Sequence, residues 1–246
     1  MKTEYKTSVK LITQNRYSRP GRRLKGMRGL VVHWVANPGS TPRGNRDYFE
    51  NRKLGKDGFG SAHEIIGING ERLICIPEAE LAYHVGSKKY TRRALSRLSS
   101  YPNDYTYGLE FCHKDWTGEF TEETLDSAAH RCADLCLKYD LDPIRDIWTH
   151  QQVVGWKECP RWFVKKPVAF QEFKERVKEI VMPKQLEKWQ RELGRKAVKE
   201  LSERGILNDP DKWNREDELA KPAPTWLMLT VLARYAEEDE KNEKNN

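Results

Sequence analysis

Hydrophobic and polar positions change period several times along the first three-quarters of the chain. GLVVHWV (29–35) is a continuous β-branched run followed by the Pro/Gly-rich ANPGSTPRG (36–44), which predicts a strand buried on both faces. Residues 45–54 read as a short helix, and beyond the KDGFG loop SAHEIIG (61–67) and ERLICIP (71–77) read as two short strands. Asn69-Gly70 between them predicts a two-residue hairpin with positive φ at both turn residues. Residues 87–105 are polar, rich in Tyr and Ser, and read as loop, and YGLEFC (107–112) as a further strand. Thr121, with Glu122 and Glu123 behind it, opens a helix to about Tyr139, on which Leu125, Ala128, Cys132, Leu135 and Tyr139 keep a 3.6-residue period. IRDIWTH (144–150) is predicted as a strand, VGWKECPRWF as a loop and residues 168–181 as an amphipathic helix. Strands alternate with helices, so this part is α/β.

The pattern changes at Pro183, the predicted domain boundary. Leu186, Trp189, Leu193, Ala197 and Leu201 then recur at steps of three and four, with Gly205 as a C-terminal stop. TWLMLTVLARYAEED, with Thr225 as its cap, predicts a second helix, and the last ten residues are polar and expected to fray. The expectation is an α/β domain over residues 1–182 and a small all-helical module over 183–246.

Composition narrows the class. A chain of 246 residues is long enough to bury a sizeable core without disulfide staples. Its 37% apolar and 33% charged residues fit a folded globular protein and exclude a disordered one. No apolar run approaches the roughly 20 residues of a membrane span. The basic N-terminal arm lacks an apolar core and a small-residue cleavage site, so a Sec-exported precursor is not expected. Five cysteines are an odd number without a framework spacing, which reads as reduced thiols, with one or two of them free to bind metal. Cys132 and Cys136, four apart on one helix face, read as core. The net charge of +7 is uneven: residues 1–182 hold 31 Lys+Arg against 23 Asp+Glu, whereas the remainder holds 13 against 14. The basic part suits a polyanionic partner, either nucleic acid or an anionic cell wall.

Two of the six histidines end strands directly before loops. His33 closes the 29–35 run, His150 closes IRDIWTH, and Cys159 follows nine residues later in a loop able to fold back. Two imidazoles and a thiolate suit a tetrahedral zinc with one open position. Spacing alone leaves each of the three equally readable as a packed residue.

LVVHWVANPGS (30–40), SAHEII (61–66), AYHVG (82–86), YGLEFC (107–112) and THQQVVGWKECP (149–160) stand in an order and spacing that resemble the type 2 N-acetylmuramoyl-L-alanine amidases, over about residues 10–180. YSRPGRRL ahead of them looks like the arm of the phage and Bacillus-type branch. The resemblance implies a central mixed β-sheet flanked by helices and a zinc ion held by His33, His150 and Cys159. It implies that Glu110 takes a proton from the attacking water and that Lys157 stabilises the oxyanion. His84 would contact substrate or make a structural hydrogen bond in a turn, and Trp34 and Trp156 would wall a substrate groove or pack in the core. His63 reads as a packed residue.

The chain departs from the pattern in three places. Gln151 and Gln152 stand where an Arg and an Asp commonly follow the ligand histidine. Ala62 stands where other branches carry a catalytic tyrosine, and Cys112 and His113 follow the glutamate. The implied activity is hydrolysis of the bond between N-acetylmuramic acid and L-alanine in bacterial peptidoglycan, as in a phage or prophage endolysin held in the host cytoplasm until released to the wall. The competing classes are a non-lytic peptidoglycan-binding module, against which the retained Cys159 argues, and a basic nucleic-acid-binding protein, for which no zinc-finger or RNA-recognition spacing exists. The helical module is expected to bind the wall or join a homo-oligomer, or else to be a bundle cored by Trp189, Trp213 and Trp226.

Overall fold

In the computed structural model the described residues are 5–181, 188–215 and 231. The chain divides into two compact units, Met1–Val181 and Met182–Asn246. Strands of the first unit are β1 (Thr7–Val9), β2 (Gly29–Trp34), β3 (Glu64–Ile66), β4 (Arg72–Ile74), β5 (Thr106–Phe111) and β6 (Ile147–Thr149). Its helices are α1 (Pro42–Asn51), α2 (Arg92–Arg97), α3 (Glu122–Tyr139), α4 (Pro143–Asp146), α5 (His150–Val154), α6 (Arg161–Lys165) and α7 (Pro167–Val181). Among the described residues the strands form one mixed sheet in the order β1-β4-β3-β5-β2-β6, antiparallel at β3–β4 and parallel at every other pair.

Side chains alternate across β2 and β5, and the two faces of the sheet have different fates. Leu30, Val32, Tyr107, Leu109 and Phe111 join Ala128, Cys132, Leu135 and Cys136 of α3 and Phe170, Phe173 and Val177 of α7 in the main core. Burying each large side chain there stabilises the fold by about 1.5–3 kcal/mol. Cys132 and Cys136 are core residues, as their spacing suggested. The alternate positions Val31, His33, Gly108 and Glu110 face the other way, where smaller clusters around Trp148 and Ile65 leave a space open.

Several elements differ from expectation, each for a local reason. α1 begins inside the Pro/Gly-rich stretch because Thr41 Oγ1 accepts the Gly44 N–H and Pro42 occupies the first turn. The polar loop contains α2, capped by Thr91. IRDIWTH is half helix: Asp142 caps α4 at Pro143, so the strand starts at Ile147 and His150 already belongs to α5. In the β3–β4 hairpin only Gly70 takes positive φ (+80°), and the Gly70 N–H bonds the Gly67 carbonyl at 3.0 Å. The link is therefore a four-residue turn closed by a left-handed glycine, not the two-residue turn that Asn-Gly favours. A Cβ on Gly70 would also lie 2.8 Å from the Glu123 carbonyl.

The second unit contains α8 (Lys188–Glu203) and α9 (Pro210–Trp213), the latter capped by Asp209. Gly205 in the left-handed region ends α8, as its position suggested. The apolar stripe lies differently from expectation: Trp189 and Leu193 are each 60% exposed and burial centres on Val198. Trp189 is therefore not a core residue. Trp226 and the helix opened by Thr225 lie outside the described residues.

Candidate active site

His33, His150 and Cys159 converge although they come from β2, α5 and the loop before α6. His33 leaves the open face of the sheet near the end of β2, in register with Glu110 on β5. His150 is fixed by a reciprocal cap at the strand–helix junction: Thr149 Oγ1 accepts the Gln152 N–H and Gln152 Oε1 accepts the Thr149 N–H, both at 3.1 Å. Gln152, one of the two departures noted above, thus holds the turn that presents His150. The Gln151 N–H bonds the Cys159 carbonyl at 3.0 Å and closes the returning loop.

All three side chains are buried, and one donor atom from each lies within 4.8 Å of the others. His150 Nδ1 is 3.0 Å and Cys159 Sγ 3.7 Å from His33 Nδ1. Burial, aided by His150, His84 and Lys157, pushes His33 well below the usual histidine range. Burial and Lys157 bring His150 down to about 3. Both imidazoles are therefore neutral with lone pairs available. Burial and Glu110 push the Cys159 thiol up, against the Trp34 backbone N–H and Lys157, which favour thiolate. Two neutral imidazoles and a sulfur that needs a cation to ionise form a donor set that fits a metal ion.

Glu110 stands beside this group, and its Oε2 is enclosed with no hydrogen-bond partner among the described residues. Burial raises its carboxyl to about 8 against the lowering pull of Lys157. Lys157 is exposed, lines the same space and makes no ion pair among the described residues. The cleft above has a volume of about 780 Å³. Arg22, Arg52, Lys88 and Lys157 reach its wall, whereas Glu110 is the one carboxylate there among the described residues. Tyr48, Phe59, Tyr83 and Tyr101 supply apolar surface.

The remaining expectations divide. His84 is buried, and both of its ring nitrogens bond protein atoms. Trp34 borders the cleft but is 8% exposed; its ring stacks on His113 and lies under the Arg161 guanidinium, so it packs as core. Trp156 is 69% exposed and is not among the residues forming the cleft wall. His63 is a packed residue: its Nε2 bonds the Glu80 carbonyl and its Nδ1 accepts the Gly108 N–H, each at 2.9 Å.

A family profile described as N-acetylmuramoyl-L-alanine amidase matches residues 22–162, more than half of the chain and every site residue above. The chain belongs to the type 2 N-acetylmuramoyl-L-alanine amidase family. It is 34% identical over 184 residues to N-acetylmuramoyl-L-alanine amidase BlyA of Bacillus subtilis (strain 168), covering 72% of this chain and 48% of that protein. It is also 34% identical over 176 residues to N-acetylmuramoyl-L-alanine amidase CwlL of Bacillus licheniformis, covering 71% and 47%. The chain thus spans about half the length of the curated relatives it matches. The catalytic domain of PlyG shares the fold at 18% identity, with a TM-score of 0.56 over 72% of this chain and 94% of that one. Sequence reasoning missed the cationic and aromatic cleft wall: Tyr48 lies on α1 with Arg52 just past its end, and the other members come from separate segments without a common period.

Proposed function

We propose that this chain is a zinc-dependent amidase of the endolysin type. It would hydrolyse the amide between the lactyl group of N-acetylmuramic acid and the L-alanine of the peptidoglycan stem peptide. The observation that carries the reading is the convergence of His33, His150 and Cys159 beside a half-buried Glu110 in a cationic cleft, in a member of this family. His33, His150 and Cys159 would hold a zinc ion, which would supply Lewis acidity to the substrate carbonyl and to water.

Glu110 accepts one proton from the attacking water as its oxygen adds to the lactyl carbonyl carbon. It returns that proton to the alanine nitrogen as the C–N bond breaks, leaving a carboxylate on the sugar and a free amine on the peptide. A carboxylate placed beside both the attacking water and the leaving nitrogen is suited to both steps. Lys157 stabilises the negative charge that develops on the carbonyl oxygen. The cationic wall at Arg22, Arg52 and Lys88 complements the carboxylates of a stem peptide, and Tyr48, Phe59 and Tyr83 offer faces to its apolar parts. We assign the second unit an attachment role, to the wall or to a second copy of the chain.

Dye release from labelled cell walls tests the reading. Release should stop with chelator and return with added zinc, and Cys159→Ser should lower metal content sharply. Binding to walls without release would favour the non-lytic module, and release that persists through chelation would overturn the metal assignment.

A further inference from the structure

We propose that His84 is a positioning residue: with Thr106 it fixes the protonated nitrogen of His33, so that the Nδ1 lone pair faces His150 and Cys159. The proposal rests on the metal site described above and follows from an inventory of donors and acceptors. His84 Nε2 has two neighbours, the Thr106 carbonyl oxygen at 3.2 Å and Thr106 Oγ1 at 3.1 Å. A carbonyl oxygen can only accept. Thr106 Oγ1 donates its own hydrogen to the Pro102 carbonyl at 2.9 Å, so towards His84 it too presents a lone pair. Nε2 of His84 faces two acceptors and therefore carries the ring proton. His84 is buried with no carboxylate among its ring's hydrogen-bond partners, so it holds one ring proton; Nδ1 must then accept, and the group it meets at 3.1 Å is His33 Nε2. His33 donates there, and its single proton is accounted for. Its Nδ1 is left bare toward His150 Nδ1 and Cys159 Sγ.

The relay has a built support. The backbone N–H groups of His84 and Val85 both donate to Asn103 Oδ1, at 3.1 and 2.9 Å, and Asn103 is fully buried. The imidazole of His84 lies against Gly108, where an added Cβ would come within 2.5 Å of its Cγ. Glycine on a central strand normally weakens it; here it admits a ring where any side chain would collide. On the far side of the same residue, the Gly108 N–H donates to His63 Nδ1. A ring fixed at both nitrogens and at its backbone cannot turn to a substrate. This separates His84 from the cleft residues, although it borders the same space. Partners that orient a metal-binding histidine typically alter affinity 10–100-fold when lost.

The test uses the full chain, first without metal. Nitrogen-15 spectra of the imidazoles, with His33 assigned by comparison with His33→Gln, should show His33 protonated at Nε2 and bare at Nδ1. A His33 protonated at Nδ1 in the wild-type chain would overturn the proposal, whatever the variants do. Titration with zinc alone should then give affinities 10–100-fold weaker for His84→Leu than for wild type. His84→Gln, whose amide oxygen can still accept from His33, should recover part of the loss. With wall fragments as substrate, the loss should fall on turnover at fixed zinc and leave KM unchanged. Zinc affinity of His84→Leu within twofold of wild type, or a change confined to KM, would make His84 a substrate contact. If His84→Leu fails to fold, Gly108→Ala displaces the ring without removing it and should weaken zinc in the same way. Absence of zinc binding by the wild-type chain would refute the metal site itself, and the imidazole spectra would still decide the protonation pattern.

Discussion

Glu64 and Glu110 leave neighbouring strands of one sheet on opposite faces, and they are treated in opposite ways. Glu64 on β3 points toward α3, where its Oε2 receives Arg131 Nε at 2.7 Å and the Tyr107 hydroxyl at 2.9 Å, while its Oε1 makes no hydrogen bond among the described residues and lies 3.9 Å from Arg72 Nε. Arg131 also reaches Glu78, which bonds Lys138 and the Tyr139 hydroxyl. Glu110 on β5 points to the cleft, has an unpartnered Oε2 and feels a cation only through Lys157. The helix-covered face joins its charges into a network that ties α3 to the sheet. The cleft face leaves a carboxyl, two imidazoles and a thiol without countercharge, and an ion or a reacting substrate can therefore interact with them. Burying unpaired groups costs stability, so the apolar face must supply the surplus.

The largest effect should come from unbalancing the network. Arg131→Met leaves buried Glu64 with only the more distant Arg72, 3.9 Å from its Oε1, and should cost about 3–5 kcal/mol in denaturant unfolding, while hydrolysis per folded molecule stays within about twofold. Equal losses of stability and specific activity would mean that the two faces are not separable. On the cleft face the same logic inverts. Glu110→Gln should keep the fold and the metal yet lower turnover on the order of a hundredfold or more, read as kcat on soluble muropeptide. Lys157→Ala, which would remove the proposed donor to the oxyanion, should cost on the order of tenfold to a few hundredfold with melting unchanged.

Opposite pH slopes should follow, smaller because Glu78 is partly exposed and screened. Burial works against ionisation of Glu78, but Lys138, Tyr139 and Arg131 overcome it and hold its carboxyl at about 2, below the ordinary 4.5. Its contribution is therefore present above pH 4.5 and lost as pH falls toward 2. Glu110, raised to about 8, does the reverse in the metal-free chain: the unfolded state sheds its proton first, so stability falls as pH rises from about 4.5 to 8. Thermal melts of the metal-free chain from about pH 2 to 8 should flatten below about 4.5 in Glu78→Gln and above it in Glu110→Gln. Identical pH profiles for the two variants would contradict the contrast.

The two faces also differed in how much of them the sequence revealed. The helix-covered face was legible because periodicity reports burial: the 3.6-residue repeat from Leu125 to Tyr139 and the β-branched run at 29–35 both became core elements. IRDIWTH misled because a short apolar run carries no length signal, and Asp142-Pro143 imposed a helical turn ahead of the strand. The hairpin misled because Asn-Gly chemistry allowed a tighter turn than packing against Glu123 and Tyr5 selected. On the cleft face His33, His150, Cys159 and Glu110 were legible through the order and spacing of the motifs, although His150 opens α5 and Cys159 lies in a loop. The support beneath them was not. Thr106 and Gly108 matter through one carbonyl and one absent Cβ, and the cleft cations Arg22, Arg52 and Lys88 come from separate segments that only the fold brings together.

If the uncompensated groups of the cleft face form a metal-dependent amidase centre, metal analysis of the purified full chain, paired with mass spectrometry of the muropeptide fragments it releases, will show both the ion and the bond cut. One zinc per chain is predicted, together with a disaccharide ending in a free lactyl carboxylate and an intact peptide beginning with the free amine of L-alanine; both should be lost in Cys159→Ser. Cleavage at a different bond, or full zinc and full cleavage by Cys159→Ser, would contradict such a centre.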